Sequence, residues 1–179
     1  GTPAAPSWIK IQSAMDGSSL IADTDGDTKI QAEESTDEDI IRFDVDGTEV
    51  LRIDSESRMN LVNSRSSVFL GNQAGSNINT GTGNTFLGYE TGVNTSNGSD
   101  NTFVGYQAGK ITGFDSRNTF IGAYSGLVNN GGLDNTFLGV RAGAGNALGD
   151  RNTYVGKSSG NANDGDDNIF IGFEAGALQ

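Results

Sequence analysis

Cysteine and histidine are both missing from this 179-residue chain. Without cysteine there is no disulfide framework and no thiolate site, and redox compartment has no signature. Without histidine the commonest general base and the commonest transition-metal ligand are gone. Basic residues are scarce, 11 against 23 acidic, for a net charge of -12. No basic patch exists to displace counterions from a phosphate backbone, so nucleic acid is not an expected partner. Long apolar runs are lacking too: no stretch of 18 apolar residues occurs, and membrane insertion is not expected. Gly1 to Lys10 lacks the basic and apolar regions of a signal peptide. Hydrophobic residues make up only 34% of the chain, little for an ordinary globule that must offset its chain entropy by burial. Low hydrophobicity with high net charge also fits disorder. The regular placement of the apolar residues argues against it.

What the chain has in abundance is glycine, 27 residues, and the glycines are periodic. Phe69, Phe86, Phe103, Phe120, Phe137 and Tyr154 follow one another at intervals of 17, and Phe170 follows after 16. Two residues after each aromatic stands a glycine, from Gly71 and Gly88 to Gly172, and four further on a second, from Gly75 and Gly92 to Gly176. Asn-Thr precedes the aromatic in five copies, beginning at Asn84, Asn101, Asn118, Asn135 and Asn152; Asn168-Ile169 takes its place in the last copy and Ser67-Val68 in the first. A fixed short period means stacked units that cannot bury a core alone. The unit is too small for a helix pair, and its glycine and asparagine oppose helix.

The spacing predicts a stack of about seven 17-residue coils over residues 64–179, neighbouring coils pairing as parallel strands, after an N-terminal strand and hairpin segment over 1–63. Each Thr-Phe-(Leu/Val/Ile)-Gly stretch reads as a short strand. Alternation sends the aromatic to one face and Leu87, Val104, Ile121, Leu138, Val155 and Ile171 to the other. Such a strand is apolar on both faces and expects burial on both. The aromatics are expected to fill the coil as a structural ladder. The aliphatics are then left outside as candidates for an interface between three copies around a common axis. Asn84, Asn101, Asn118, Asn135, Asn152 and Asn168 predict a vertical turn ladder, each amide bonding its neighbour or capping a turn; independent Asn-initiated turns are the alternative. Gly81-Thr82-Gly83 is followed by neither a lysine nor a strand–loop–helix frame, so it is not read as a phosphate loop.

Asn-Thr-Phe-Leu-Gly-Tyr-Glu-Thr-Gly from Asn84 and Asn-Thr-Phe-Val-Gly-Tyr-Gln-Ala-Gly from Asn101 resemble repeats of bacteriophage tail fibres and related trimeric bacterial surface proteins. They are similar, more loosely, to the head repeats of trimeric autotransporter adhesins, whose units are somewhat shorter and form left-handed parallel β-rolls. The resemblance covers about residues 64 to 179 and implies a homotrimer, a β-solenoid and a role in attachment.

In the N-terminal third most of the charge collects and the repeat is absent. Trp8 to Ile11, Leu20-Ile21 and Lys29 to Ala32 read as strands. Ile41, Phe43 and Val45 alternate, as do Leu51 and Ile53. A three-residue loop, Asp46-Gly47-Thr48, with a glycine bulge would set Phe43 opposite Leu51 and Ile41 opposite Ile53. A two-residue Asp-Gly turn would instead pair Phe43 with Val50. Asp23, Asp25 and Asp27 flank Gly26 as in calcium loops, but Gln31 and Ala32 stand where the closing glutamate belongs, so an acidic turn is expected. Glu33, Glu34, Asp37, Glu38 and Asp39 read as an exposed charged loop rather than an acid/base pair. The stretch from Asp27 to Asp44 also resembles segments that precede such repeats in phage fibre proteins.

No metal, no cofactor and no catalytic residue is predicted. The chain reads as a non-enzymatic shaft or head segment of a virion tail fibre or related injection apparatus, partnered by itself and by a bacterial cell-surface receptor or other fibre proteins. The head of a trimeric bacterial surface adhesin is the alternative. A polysaccharide-degrading tailspike stands third, because it would need longer coils with a carboxylate-lined groove. An ice-binding solenoid usually wants a flat array of threonine, and the column from Thr85 to Thr153 is a single row.

Overall fold

The computed structural model describes residues 19–22, 28–32, 41–54, 56–61 and 65–177, and every regular element among them is a strand. The strand predicted at Trp8 to Ile11, the acidic turn at 23–27 and the acidic run at 33–39 lie outside the described residues. The chain divides into two compact units, residues 1–64 and 65–179.

The first unit is an antiparallel meander of β1 (Ser19–Ala22), β2 (Lys29–Ala32), β3 (Ile41–Val45), β4 (Thr48–Ile53) and β5 (Met59–Leu61), adjacent in that order. Ile30, Phe43, Leu51 and Leu61 line up across β2 to β5, and Ile41, Ile53 and Met59 across β3 to β5. Directly opposed residues share a face, so these rows make one apolar side. Arg42, Asp44, Glu49, Arg52 and Asn60 occupy the other.

The β3–β4 connection corrects the expected loop. Asp46 and Gly47 both have positive φ, 51° and 67°, as a two-residue type I′ turn requires. Val45 pairs with Thr48 and Asp44 with Glu49 across it. Val50 is then left over as a bulge, which returns Phe43 to Leu51 and Ile41 to Ile53. The register of the apolar residues is the expected one, reached by a tighter turn plus a bulge. The I′ turn matches the twist of its strands, and the spare residue is absorbed one step further along. At the next corner Asp54 accepts from the Arg58 amide (2.9 Å), the Arg58 Nε (2.8 Å) and the Asn60 Nδ2 (2.8 Å).

The second unit is a parallel β-solenoid. Seven three-residue strands, β6 (Val68–Leu70), β7 (Thr85–Leu87), β8 (Thr102–Val104), β9 (Thr119–Ile121), β10 (Thr136–Leu138), β11 (Thr153–Val155) and β12 (Ile169–Ile171), form one sheet in sequence order. Every pairing is parallel and in register with the repeat, so Phe86 sits beside Phe103 and Leu87 beside Val104. Seven strands delimit six complete coils, roughly 30 Å along the stack at ordinary strand spacing. The two periodic glycines have separate duties. At Gly105, φ +135°, an added Cβ would lie 2.7 Å from the Gly122 carbonyl carbon of the next coil. At Gly109, φ +57°, it would lie 2.5 Å from the Phe103 ring. The first glycine lets coils approach, and the second lets the aromatic lie flat inside.

Candidate functional site

Phe86, Phe103, Phe120, Phe137 and Tyr154 form a continuous column inside the solenoid and expose no surface. Their rings run near-parallel, within 7°, at centroid spacings of 4.7–4.9 Å. Phe69 and Phe170 extend the column at 5.2 Å and are half-buried, since each has a coil on one side only. The stacking distance is the strand spacing, so the backbone ladder itself sets the ring separation.

Each ladder asparagine staples its coil to the next at two points. The Asn118 backbone amide donates to Asn101 Oδ1 (3.0 Å), and Asn118 Oδ1 in turn accepts from the Asn135 amide (2.8 Å). Asn118 Nδ2 meanwhile donates to the Gly132 carbonyl (2.8 Å). Asn84, Asn101, Asn135 and Asn152 repeat this pattern, and the Asn168 amide closes it on Asn152 Oδ1. In the first copy Ser67 substitutes, its Oγ accepting from the Asn84 amide at 3.0 Å. The bonds run between side chain and backbone, and only at the last rung does an amide also meet an amide, Asn168 Nδ2 donating to Asn152 Oδ1 at 3.1 Å. That satisfies a buried N–H and a buried C=O in every coil, groups that are costly to leave unpaired.

Two interior features escape a reading by residue type. Nine residues after the aromatic, Thr95, Thr112, Asn129 and Asn146 form a second buried column. The Thr95 and Thr112 hydroxyls are 2.6 Å apart, and Asn129 Nδ2 donates to the Asn146 carbonyl at 3.2 Å. Polar residue types signal surface, and only their shared phase with the aromatics could have found them. Asp115 is the other feature: it occupies the place filled by Gly81, Gly98, Gly132 and Gly149 in other coils. It is fully buried, and neither carboxylate oxygen gains a well-formed hydrogen bond. Burial pushes its pKa up to about 8; the nearby Gly131 amide opposes this weakly and the Asp150 charge adds to it.

The outward face of the same sheet carries the aliphatics. Leu87 is 44% exposed, Ile121 38%, Leu138 46% and Ile171 70%, with Val104 and Val155 half-buried among them. Leu70, also exposed, begins the column ahead of Leu87, so it has seven apolar rungs. The threonine column lies on the same face, two residues before. Around one corner Tyr89 and Tyr106 stack at 5.3 Å, beside Glu90, which accepts from Gln107 Nε2 and Lys110 Nζ, both at 2.6 Å. The Lys110 ammonium and then the Tyr89 hydroxyl hold the Glu90 carboxyl below its usual range.

A second outward column alternates in sign: Asp100, Arg117, Asp134, Arg151, Asp167. Arg117 grips Asp134 with two bonds, 2.6 and 2.9 Å, and Arg151 grips Asp167 with 2.6 and 3.0 Å. All five residues have φ of 56–61°, a left-handed corner without glycine. In-register stacking places identical positions one strand apart, so a single sign here would repel along the whole column. Alternation removes that penalty.

Among the described residues no group of three or more acidic, histidine or cysteine side chains is placed to hold a metal, and no helix is long and apolar enough to cross a membrane. No family model, curated protein or solved structure matches the chain.

Proposed function

We propose that this chain is a structural shaft or head segment of a phage tail fibre or related injection apparatus, a homotrimer serving attachment to the host. One observation carries the reading: the uninterrupted outward column of Leu, Val and Ile, repeated on every strand of a stack that already has its own aromatic core. Monomeric proteins scatter their exposed apolar residues, whereas a contiguous stripe marks an interface. Burying it between three copies gains roughly 25 cal/mol per Å2, coil after coil. The resemblance of the Asn-Thr-Phe-x-Gly repeats supplies the attachment role and the virion setting.

Light scattering of the purified chain tests the assembly. A trimeric mass at micromolar concentration is expected, and Val104→Asp with Ile121→Asp should dissociate it, because a buried unpaired carboxylate costs far more than lost contacts. A stable folded monomer of the natural sequence would refute the proposal. The reading is also non-enzymatic. Turnover of bacterial polysaccharide by the purified chain, abolished by Asp or Glu substitution, would overturn that part.

A further inference from the structure

The antiparallel sheet of the first unit leaves a row of large apolar side chains exposed on one face. On its charged face Asp44 is 8% exposed and the Arg42 side chain 12%, with the Arg52 side chain at 42%; on its apolar face Phe43 and Leu51 are half-buried, while Ile41 is 44% exposed and Met59 69%. Large apolar side chains exposed side by side on one sheet face are informative. On the charged face Arg42 and Arg52 stand directly opposite one another, and Glu49 bridges them at 3.2 and 3.7 Å. Among the described residues this apolar face carries no charge with which to hold a polar or saccharide ligand.

We propose that this face is a second self-association surface, packed against the same face of other copies of the chain. The inference rests on the self-association reading of the solenoid and adds a separate contact to it. The occupant must be apolar, since every member of the facing rows is apolar. It must also match a twisted sheet of this size. A second copy offers both properties, and it is brought to high effective concentration once the solenoids assemble. The exposed parts of these side chains amount to on the order of 500 Å2, a large share of the ~800 Å2 a stable interface takes from each partner.

Because the chain lacks cysteine, a single introduced thiol reports on one place. The full chain is prepared with Met59→Cys, on the apolar face, and separately with Ser57→Cys, on the exposed turn beside it. For the oligomer, maleimide labelling of the Met59→Cys chain should be at least tenfold slower than of the Ser57→Cys chain. A short bis-maleimide should join Met59→Cys chains to one another. An oligomer in which both thiols label equally fast overturns this inference and leaves the solenoid reading standing. Slow labelling without cross-links between chains also overturns it, since the face is then covered from within one chain. A monomer overturns both. As a second measurement, Ile53→Lys should raise the dissociation midpoint concentration at least tenfold; an unchanged midpoint counts against the surface.

Discussion

The two units are built from the same three kinds of residue, apolar, charged and small polar, yet they dispose of them in opposite ways. In the solenoid the ladder aromatics from Phe86 to Tyr154 vanish from the surface and the aliphatics of the same strands remain outside. In the meander Ile41, Ile53, Met59 and Leu61 of the apolar rows stay exposed while Asp44 of the charged row is buried. The difference lies in closure. A coil returns to its own starting point, so each strand acquires an interior from the same chain, and one aromatic per turn fills it. A five-stranded meander has two faces and does not enclose an interior by itself. Closure by repetition needs only 17 residues per step, which is why a chain with 34% hydrophobic residues still builds a dry column.

That contrast can be broken most directly at its centre. Phe120→Ala should cost about 3–5 kcal/mol in chemical denaturation, because the ring is fully buried and its stacked neighbours cannot collapse into the gap. Phe43→Ala, on the half-buried meander face, should cost clearly less in the same measurement. Equal costs would mean that the meander has a core of solenoid quality.

Asn118→Ala should follow at about 2–4 kcal/mol, since it strands the Asn135 amide and the Gly132 carbonyl together. Hydrogen exchange should locate the loss in the coils on either side rather than across the whole stack. Protection that falls uniformly would contradict the nearest-neighbour picture.

Asp115→Asn sharpens the comparison by improving the solenoid, by roughly 1–3 kcal/mol at neutral pH. The sign follows from the raised pKa of about 8. The folded state holds the proton while the unfolded chain, near its ordinary value of 3.8, has released it. Stability therefore falls as pH rises from about 4 towards 8 and levels off above that. Thermal melts at pH 4.5 and 8.5 should show the variant gaining more at the higher pH. A gain independent of pH would mean that the carboxyl is not the cause.

The smallest effect belongs to the alternating column. Arg117→Gln should lower the melting temperature only slightly, and salt should shrink the effect further, because the Arg117–Asp134 pair is exposed and screened. Arg117→Asp should cost more, as three acidic groups would then follow one another at strand spacing. Comparing the two variants in low and high salt separates register specificity from simple pair loss.

Much of the solenoid is legible in the chain because its period repeats at constant phase. Phe, Gly and Asn each recur on one phase, so coil length, strand position and the inward aromatic follow from alternation. The polar column at Thr95 and Asn129 was not legible, since residue type argues for surface and only the coil's narrowness puts position nine inside. Asp115 was invisible for the same reason. In the meander, Phe43 opposite Leu51 followed from matching apolar residues. The turn did not, because a two-residue turn plus a bulge at Val50 and a three-residue loop produce the same register further along.

By itself, then, the sequence determined the parallel coil, its interior aromatics and the absence of cysteine and histidine chemistry, because these depend on spacing and composition alone. Only the tertiary structure decided which oxygen each asparagine meets, which side chains of the meander stay exposed and where a lone carboxyl is trapped. Those outcomes depend on twist and on distances between coils of a few ångströms, and a one-dimensional pattern carries neither.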